Sequence, residues 1–135
     1  MDMNAFSPVD YGLIPVEQYF RPKGKRQLDY VSSMGCHYRC AFCADPFVYG
    51  RRWVALSPER VGDEIEFLWR RYSFEDLAFQ GETFFTFEKR VIAIVEEFLR
   101  RDLLLRGRLR CGLTRGTGYL TKGGPCAYGR VSGRS

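Results

Sequence analysis

Apolar positions along the chain follow two rhythms, interrupted by one long stretch that follows neither. Residues 28–34 suit a mostly buried strand, with Tyr30 and Val31 at its centre and Gly35 ending it. Residues 35–56 then form a 22-residue loop. Compact domains seldom carry an irregular loop beyond ~12–15 residues unless it has a function. Ser57-Pro58 opens a helix, with serine at the N-cap and proline at the first helical position. Val61, Ile65, Leu68, Trp69 and Tyr72 share an arc of about 100°, which is one buried face. Asp63, Glu66 and Arg70 point away from it. Residues 76–80 predict a second strand centred on Leu77, Ala78 and Phe79. Gly81-Glu82 follows at its C-terminal end. Thr86 is the expected cap of a second helix running to about Arg101, with Val91, Ile92, Ile94, Val95, Phe98 and Leu99 as its apolar face. Residues 108–113 start a third strand.

This order of β, long loop, α, β, short loop, α, β predicts parallel βα units, hence the α/β class. In such folds chemistry gathers at the C-terminal ends of the strands. The long loop and Gly81-Glu82 both fall at those ends. Residues 1–27 are broken by Pro8, Gly12, Pro15, Pro22 and Gly24, and predict an extended lead-in without regular elements.

Net charge changes the reading of the C-terminus. Residues 1–99 hold 12 Lys+Arg against 15 Asp+Glu, whereas residues 100–135 hold 9 Lys+Arg and the single acid Asp102. All the excess of the overall +5 therefore lies in the last quarter. Residues 107–135 carry eight of the fourteen glycines, no acid and no visible periodicity. Such a segment is a poor warrant for nucleic-acid binding, which is not expected here. Residues 111–135 are instead read as a Gly/Arg-rich tail from an out-of-frame or otherwise aberrant translation, with a genuine basic, disordered tail as the rival. A second reading frame that continues the βα pattern would decide for the former.

No apolar run approaches the ~20 residues of a membrane-spanning helix. Residues 1–10 carry acids and no basic residue before an apolar stretch, unlike a signal peptide, so a cytoplasmic location is the expectation. In that compartment five cysteines point to metal ligands or catalytic thiols rather than disulfides.

Three of the five, Cys36, Cys40 and Cys43, stand in Cys-His-Tyr-Arg-Cys-Ala-Phe-Cys within the long loop. Three thiolates on one tight loop can hold three corners of a four-iron, four-sulfur cluster and leave the fourth iron open. Two plainer readings compete. One is three structural thiols. The other is zinc with His37 as fourth ligand, although zinc sites favour two paired C-x2-C units and this chain has no second pair. Cys111 and Cys126 have no partner at ligand spacing.

The C-x3-C-x2-C motif after a first strand, with Phe42 just before the last cysteine, resembles the radical S-adenosylmethionine superfamily. "GCHYRCAFCADPFVYGRRW", "SPERVGDEIEFLWRRY" and "FQGETFFT" resemble the subgroup whose members carry a cobalamin-binding domain ahead of the radical domain. The match covers about residues 25–105.

The resemblance implies a truncated (β/α) partial TIM-type barrel, with its first two to three βα units in residues 28–110 and the lead-in as an interdomain linker. It implies that Cys36, Cys40 and Cys43 ligate a [4Fe-4S] cluster. S-adenosyl-L-methionine would bind the open iron and be cleaved reductively to a 5′-deoxyadenosyl radical. The outcome would be methylation, cyclisation or rearrangement at an unactivated carbon of an unknown small-molecule substrate. Gly81 and Glu82 match the last two positions of the family's Gly-Gly-Glu motif, with Gln80 in place of the first glycine. They would bind the amino group of S-adenosylmethionine, and Phe42 would lie near its adenine. A reductant such as flavodoxin or ferredoxin is implied, and cobalamin in the full-length parent protein. This chain alone, as a fragment, is expected to be inactive. The alternative from another class is a non-catalytic zinc- or iron–sulfur-binding interaction module. Arg51 and Arg52 read as a solvated loop face, and Trp53 and Trp69 as core.

Overall fold

A computed structural model of the chain describes residues 2–80, 84–103, 110–113, 116–121 and 124–125. Its main sheet has the strand order β1 (Gln27–Tyr30), β4 (Asp76–Phe79), β5 (Arg110–Leu113), β6 (Gly116–Thr121), β7 (Gly124–Pro125). Strands β1, β4 and β5 run parallel, with Tyr30 beside Phe79 and Phe79 beside Leu113. Two helices link them: α3 (Pro58–Tyr72) and α4 (Glu88–Arg100). The fold class is therefore α/β with a small parallel sheet. The described strands form an open sheet and not a barrel.

The core lies between this sheet and the two helices. Val61, Ile65 and Leu68 of α3 meet Val91, Ile94, Val95 and Phe98 of α4 over Leu77 and Phe79. All four residues of β4 are buried, as expected of a central parallel strand covered by helices. Ser57 caps α3 by accepting the Arg60 amide at 3.3 Å. The tyrosine at the end of β1 donates to Glu64 of α3 at 2.7 Å, and burial, then this contact, raises the Tyr30 pKa.

Arg101 clasps the two helices. Its guanidinium pairs with Asp63 at 2.7 Å, Glu66 at 2.9 Å and Glu97 at 3.1 Å. Glu66 thus turns toward α4 rather than to solvent. Gly62 makes the room: a Cβ there would stand 2.6 Å from Arg101 Nε. A mid-helix Gly→Ala exchange ordinarily stabilises by roughly 0.5–1 kcal/mol. Here alanine would displace a guanidinium held by three carboxylates, and charge-assisted bonds contribute about 1.5–3 kcal/mol each. Gly62→Ala is expected to lower stability by about 1 kcal/mol in urea unfolding, where propensity alone would raise it.

Several elements depart from the sequence expectations. The lead-in is not extended throughout: it contains α1 (Val16–Lys23), with Val16 and Phe20 buried one turn apart. Pro22 stands inside this helix and removes the amide that would bond the Gln18 carbonyl, and Gly24 ends the helix at φ 61°. The lead-in packs on α3 because Arg60 donates to the carbonyls of Met3, Asn4 and Phe6 at 3.1, 2.7 and 2.6 Å. The first strand breaks at residues 31–32, and β2 (Ser33–Met34) leaves the main sheet to pair antiparallel with β3 (Val54–Ala55). The long loop holds a short helix, α2 (Asp45–Val48). The N-cap of α4 is Phe87, without a side-chain capping bond, and a 3-10 turn, Phe84–Thr86, precedes it. In the tail, β6 (Gly116–Thr121) pairs antiparallel with β5, and β7 (Gly124–Pro125) antiparallel with β6, where no strand periodicity was expected. Thr117, Tyr119 and Thr121 at alternate positions are the strand signal there.

Candidate metal and cofactor site

The cysteine loop emerges from the C-terminal end of β1, one sheet position from the C-terminal end of β4. The Gln80 amide donates to the Tyr30 carbonyl at 2.8 Å, and its side-chain nitrogen donates to Asp29 at 3.0 Å. The chain therefore leaves both strands at the same end of the sheet. Gly81 and Glu82 lie outside the described residues.

The loop is closed at its base. Ser33 pairs with Ala55 and Met34 with Val54, and the Leu56 amide donates to the Ser32 carbonyl at 2.9 Å. Gly35 makes this closure possible, with φ 83° and no Cβ where the Arg52 carbonyl oxygen would stand 2.0 Å away. Beyond the base, the loop reverses again at Gly50 and Arg51, with φ 57° and 59°.

Within it, Cys36 and Cys43 are half-buried and Cys40 is exposed, and all three are free thiols. The Cys43 amide donates to the Cys40 carbonyl at 3.2 Å, which curls the C-x2-C segment into a turn. Among the described residues, no three His, Cys, Asp or Glu side chains converge closely enough to hold a metal ion. The donor set still suits an iron–sulfur cluster: three thiols on one loop, none in a disulfide. His37 stacks on Tyr38 at 4.2 Å between centroids and faces Phe87 at 5.7 Å. Phe42 is 95% exposed. Arg51 and Arg52 are exposed, as the solvated reading expects.

Trp53 is half-buried at the loop exit rather than in the core. It stacks on Phe87 at 4.1 Å. Sequence reasoning missed the partner that organises this base, Arg90. No local signal marks it: position 90 lies outside the arc of Val91, Ile94, Val95 and Phe98, where a cation is ordinary.

A cleft of about 440 Å³ lies elsewhere, between residues 8–12 and the Asp63, Phe67, Arg71 and Tyr72 side of α3. No helix is long and apolar enough to cross a membrane among the described residues.

Two curated enzymes are similar to parts of the chain. An uncharacterized methyltransferase of Pyrococcus horikoshii is 33% identical over 84 residues, which is 62% of this chain and 18% of that protein. The anaerobic magnesium-protoporphyrin IX monomethyl ester cyclase of Rubrivivax gelatinosus is 29% identical over 103 residues, 76% of this chain and 18% of that protein. The chain spans less than a fifth of the length of either relative. No protein-family model and no solved structure matches it. Its distant relatives are thus enzymes by name, one a methyltransferase and one a cyclase.

Proposed function

We propose that the chain is the cluster- and cosubstrate-binding part of a radical S-adenosylmethionine enzyme. The observation that carries this reading is the C-x3-C-x2-C loop, pinned at its base and leaving the parallel sheet beside the strand that runs into Gly81-Glu82. Similarity to a methyltransferase and to a cyclase supports it.

On this reading the thiolates of Cys36, Cys40 and Cys43 hold a [4Fe-4S] cluster. When bound, the cluster supplies one-electron reduction of the sulfonium of S-adenosyl-L-methionine, the source of the 5′-deoxyadenosyl radical. Every other task falls to the chain itself. The Glu82 carboxylate accepts hydrogen bonds from the cosubstrate ammonium, and Gly81 lets backbone approach it. Phe42 offers an uncovered aromatic face to the adenine, a use consistent with its near-complete exposure. The loop base keeps the three thiols beside the sheet end.

The reaction class is methylation, cyclisation or rearrangement at an unactivated carbon of a small molecule, with a flavodoxin- or ferredoxin-type reductant. Cobalamin belongs to the parent protein on the same reading. The chain by itself is proposed to bind without turning over, because an open sheet does not exclude water from a radical.

Anaerobic reconstitution with iron and sulfide tests the proposal. The expected product is brown, holds about four irons per chain, and changes its visible or EPR spectrum when S-adenosylmethionine is added. A colourless protein that takes up one zinc would sink the proposal in favour of an interaction module.

A further inference from the structure

The base of the cysteine loop is tied to α4 by one side chain. Arg90 donates to the Ser32 carbonyl at the loop entry at 2.9 Å. It also donates to the Leu56 carbonyl at the loop exit, at 3.2 and 3.0 Å. The same guanidinium lies 5.7 Å from the Trp53 ring and 5.8 Å from the Phe84 ring. Phe87, three residues earlier on the helix, touches both ends of the loop: Trp53 on one side and His37, the neighbour of Cys36, on the other.

This arrangement is expensive for stability alone. Among the described residues Arg90 makes no ion pair with a carboxylate, and burial lowers its pKa to about 10. Among the described residues its Nη1 is buried without a hydrogen-bond partner, as are Ser32 Oγ and Trp53 Nε1 on the residues it touches. Buried polar atoms are nearly always partnered in folded proteins. A leucine would fill the position without leaving a charge or an orphan donor. Arg90 Nη2 donates to both carbonyls and Nε adds a second bond to Leu56, a set of planar donors that a lysine ammonium does not reproduce.

We propose that Arg90 is the positioning residue of the cysteine loop. It fixes the entry and exit strands against α4 and so holds Cys36, Cys40 and Cys43 ready to take a metal. The metal half of this inference rests on the cluster reading above; the bracing half does not. Two variants separate fork from charge. Arg90→Lys keeps the cation and most of the stem but donates from a single point. Arg90→Met keeps only the stem.

Two measurements on the metal-free chain decide. Amide hydrogen exchange at Leu56 reads the loop base directly, because that amide donates to the Ser32 carbonyl. Both variants are expected to raise its exchange rate by about tenfold, with lysine the milder, while amides of Val61 and Ile65 in α3 stay protected. The second measurement is a cobalt(II) titration followed by sulfur-to-cobalt absorption. It should need about tenfold more metal for half-saturation and reach the same end-point. Unchanged exchange at Leu56 in both variants overturns the bracing. Faster exchange with an unchanged cobalt midpoint overturns its link to the thiols. A wild-type chain that binds cobalt normally but forms no iron–sulfur chromophore refutes the cluster reading and leaves the bracing result standing.

Discussion

Gly35→Ala is expected to open the base of the cysteine loop while leaving the main sheet and both long helices folded. Two penalties add at this position. The φ of 83° lies in the left-handed region, where an alanine costs roughly 1–2 kcal/mol. The new Cβ would also meet the Arg52 carbonyl oxygen at 2.0 Å, a distance no Cβ tolerates. The obstacle is backbone, so no rotamer change relieves it, and the exit strand must move. Its ladder with the entry strand is two residue pairs, Ser33 with Ala55 and Met34 with Val54, beside the Leu56 amide bond to the Ser32 carbonyl and the Arg90 bonds. A strain of about 3 kcal/mol or more exceeds what so short a ladder returns, with net hydrogen bonds at about 1 kcal/mol each. The loop base should therefore yield before the core does. Amide and indole NMR spectra give the check. The Trp53 indole signal should shift toward its solvent-exposed position, while Trp69, packed against the core from α3, stays put. Iron uptake should fall with it. An unshifted Trp53 signal in Gly35→Ala would show that the closure does not depend on this glycine.

How much of this site the sequence discloses follows from the range of the interactions. Local signals were legible. Ser57-Pro58 marks the start of α3, and Val61, Ile65 and Leu68 mark its buried face, because capping and helical periodicity act within a few residues. The β4 strand, with Leu77, Ala78 and Phe79, was legible for the same reason. The cysteine spacing was visible as a pattern in eight residues. What escaped was non-local or masked by a stronger punctuator. Pro22 hid α1, although Val16 and Phe20 stand at helical spacing. Glycines hid β6, although Thr117, Tyr119 and Thr121 alternate. The pairing of β2 with β3 has no local signature, because two residues on each side are too few to show a period. Arg90 is the instructive miss. Position 90 lies outside the apolar arc of α4, so a cation there breaks no pattern, and its bonds reach carbonyls 34 and 58 residues away in sequence.

The second large effect separates folding from metal binding. Cys40→Ala is expected to leave stability within about 0.5 kcal/mol of wild type and to abolish iron–sulfur loading. The first half follows from exposure: Cys40 is exposed where Cys36 and Cys43 are half-buried, so its removal leaves no cavity. The backbone turn through residue 40 also survives, because it is held by the Cys40 carbonyl accepting from Cys43, a bond alanine can keep. The second half follows from ligand count. Two thiolates remain, and the loop holds no fourth cysteine to replace the lost one. Cys40→Ala should therefore match wild type in its urea midpoint and return a colourless protein from anaerobic reconstitution. The contrast with Gly35→Ala is informative: one variant removes a ligand from an intact loop, the other opens the loop with all ligands present. If the loop only held structural thiols, Cys40→Ala would change neither colour nor iron. Undiminished iron in Cys40→Ala would refute the ligand assignment and with it the open-iron chemistry proposed for the chain.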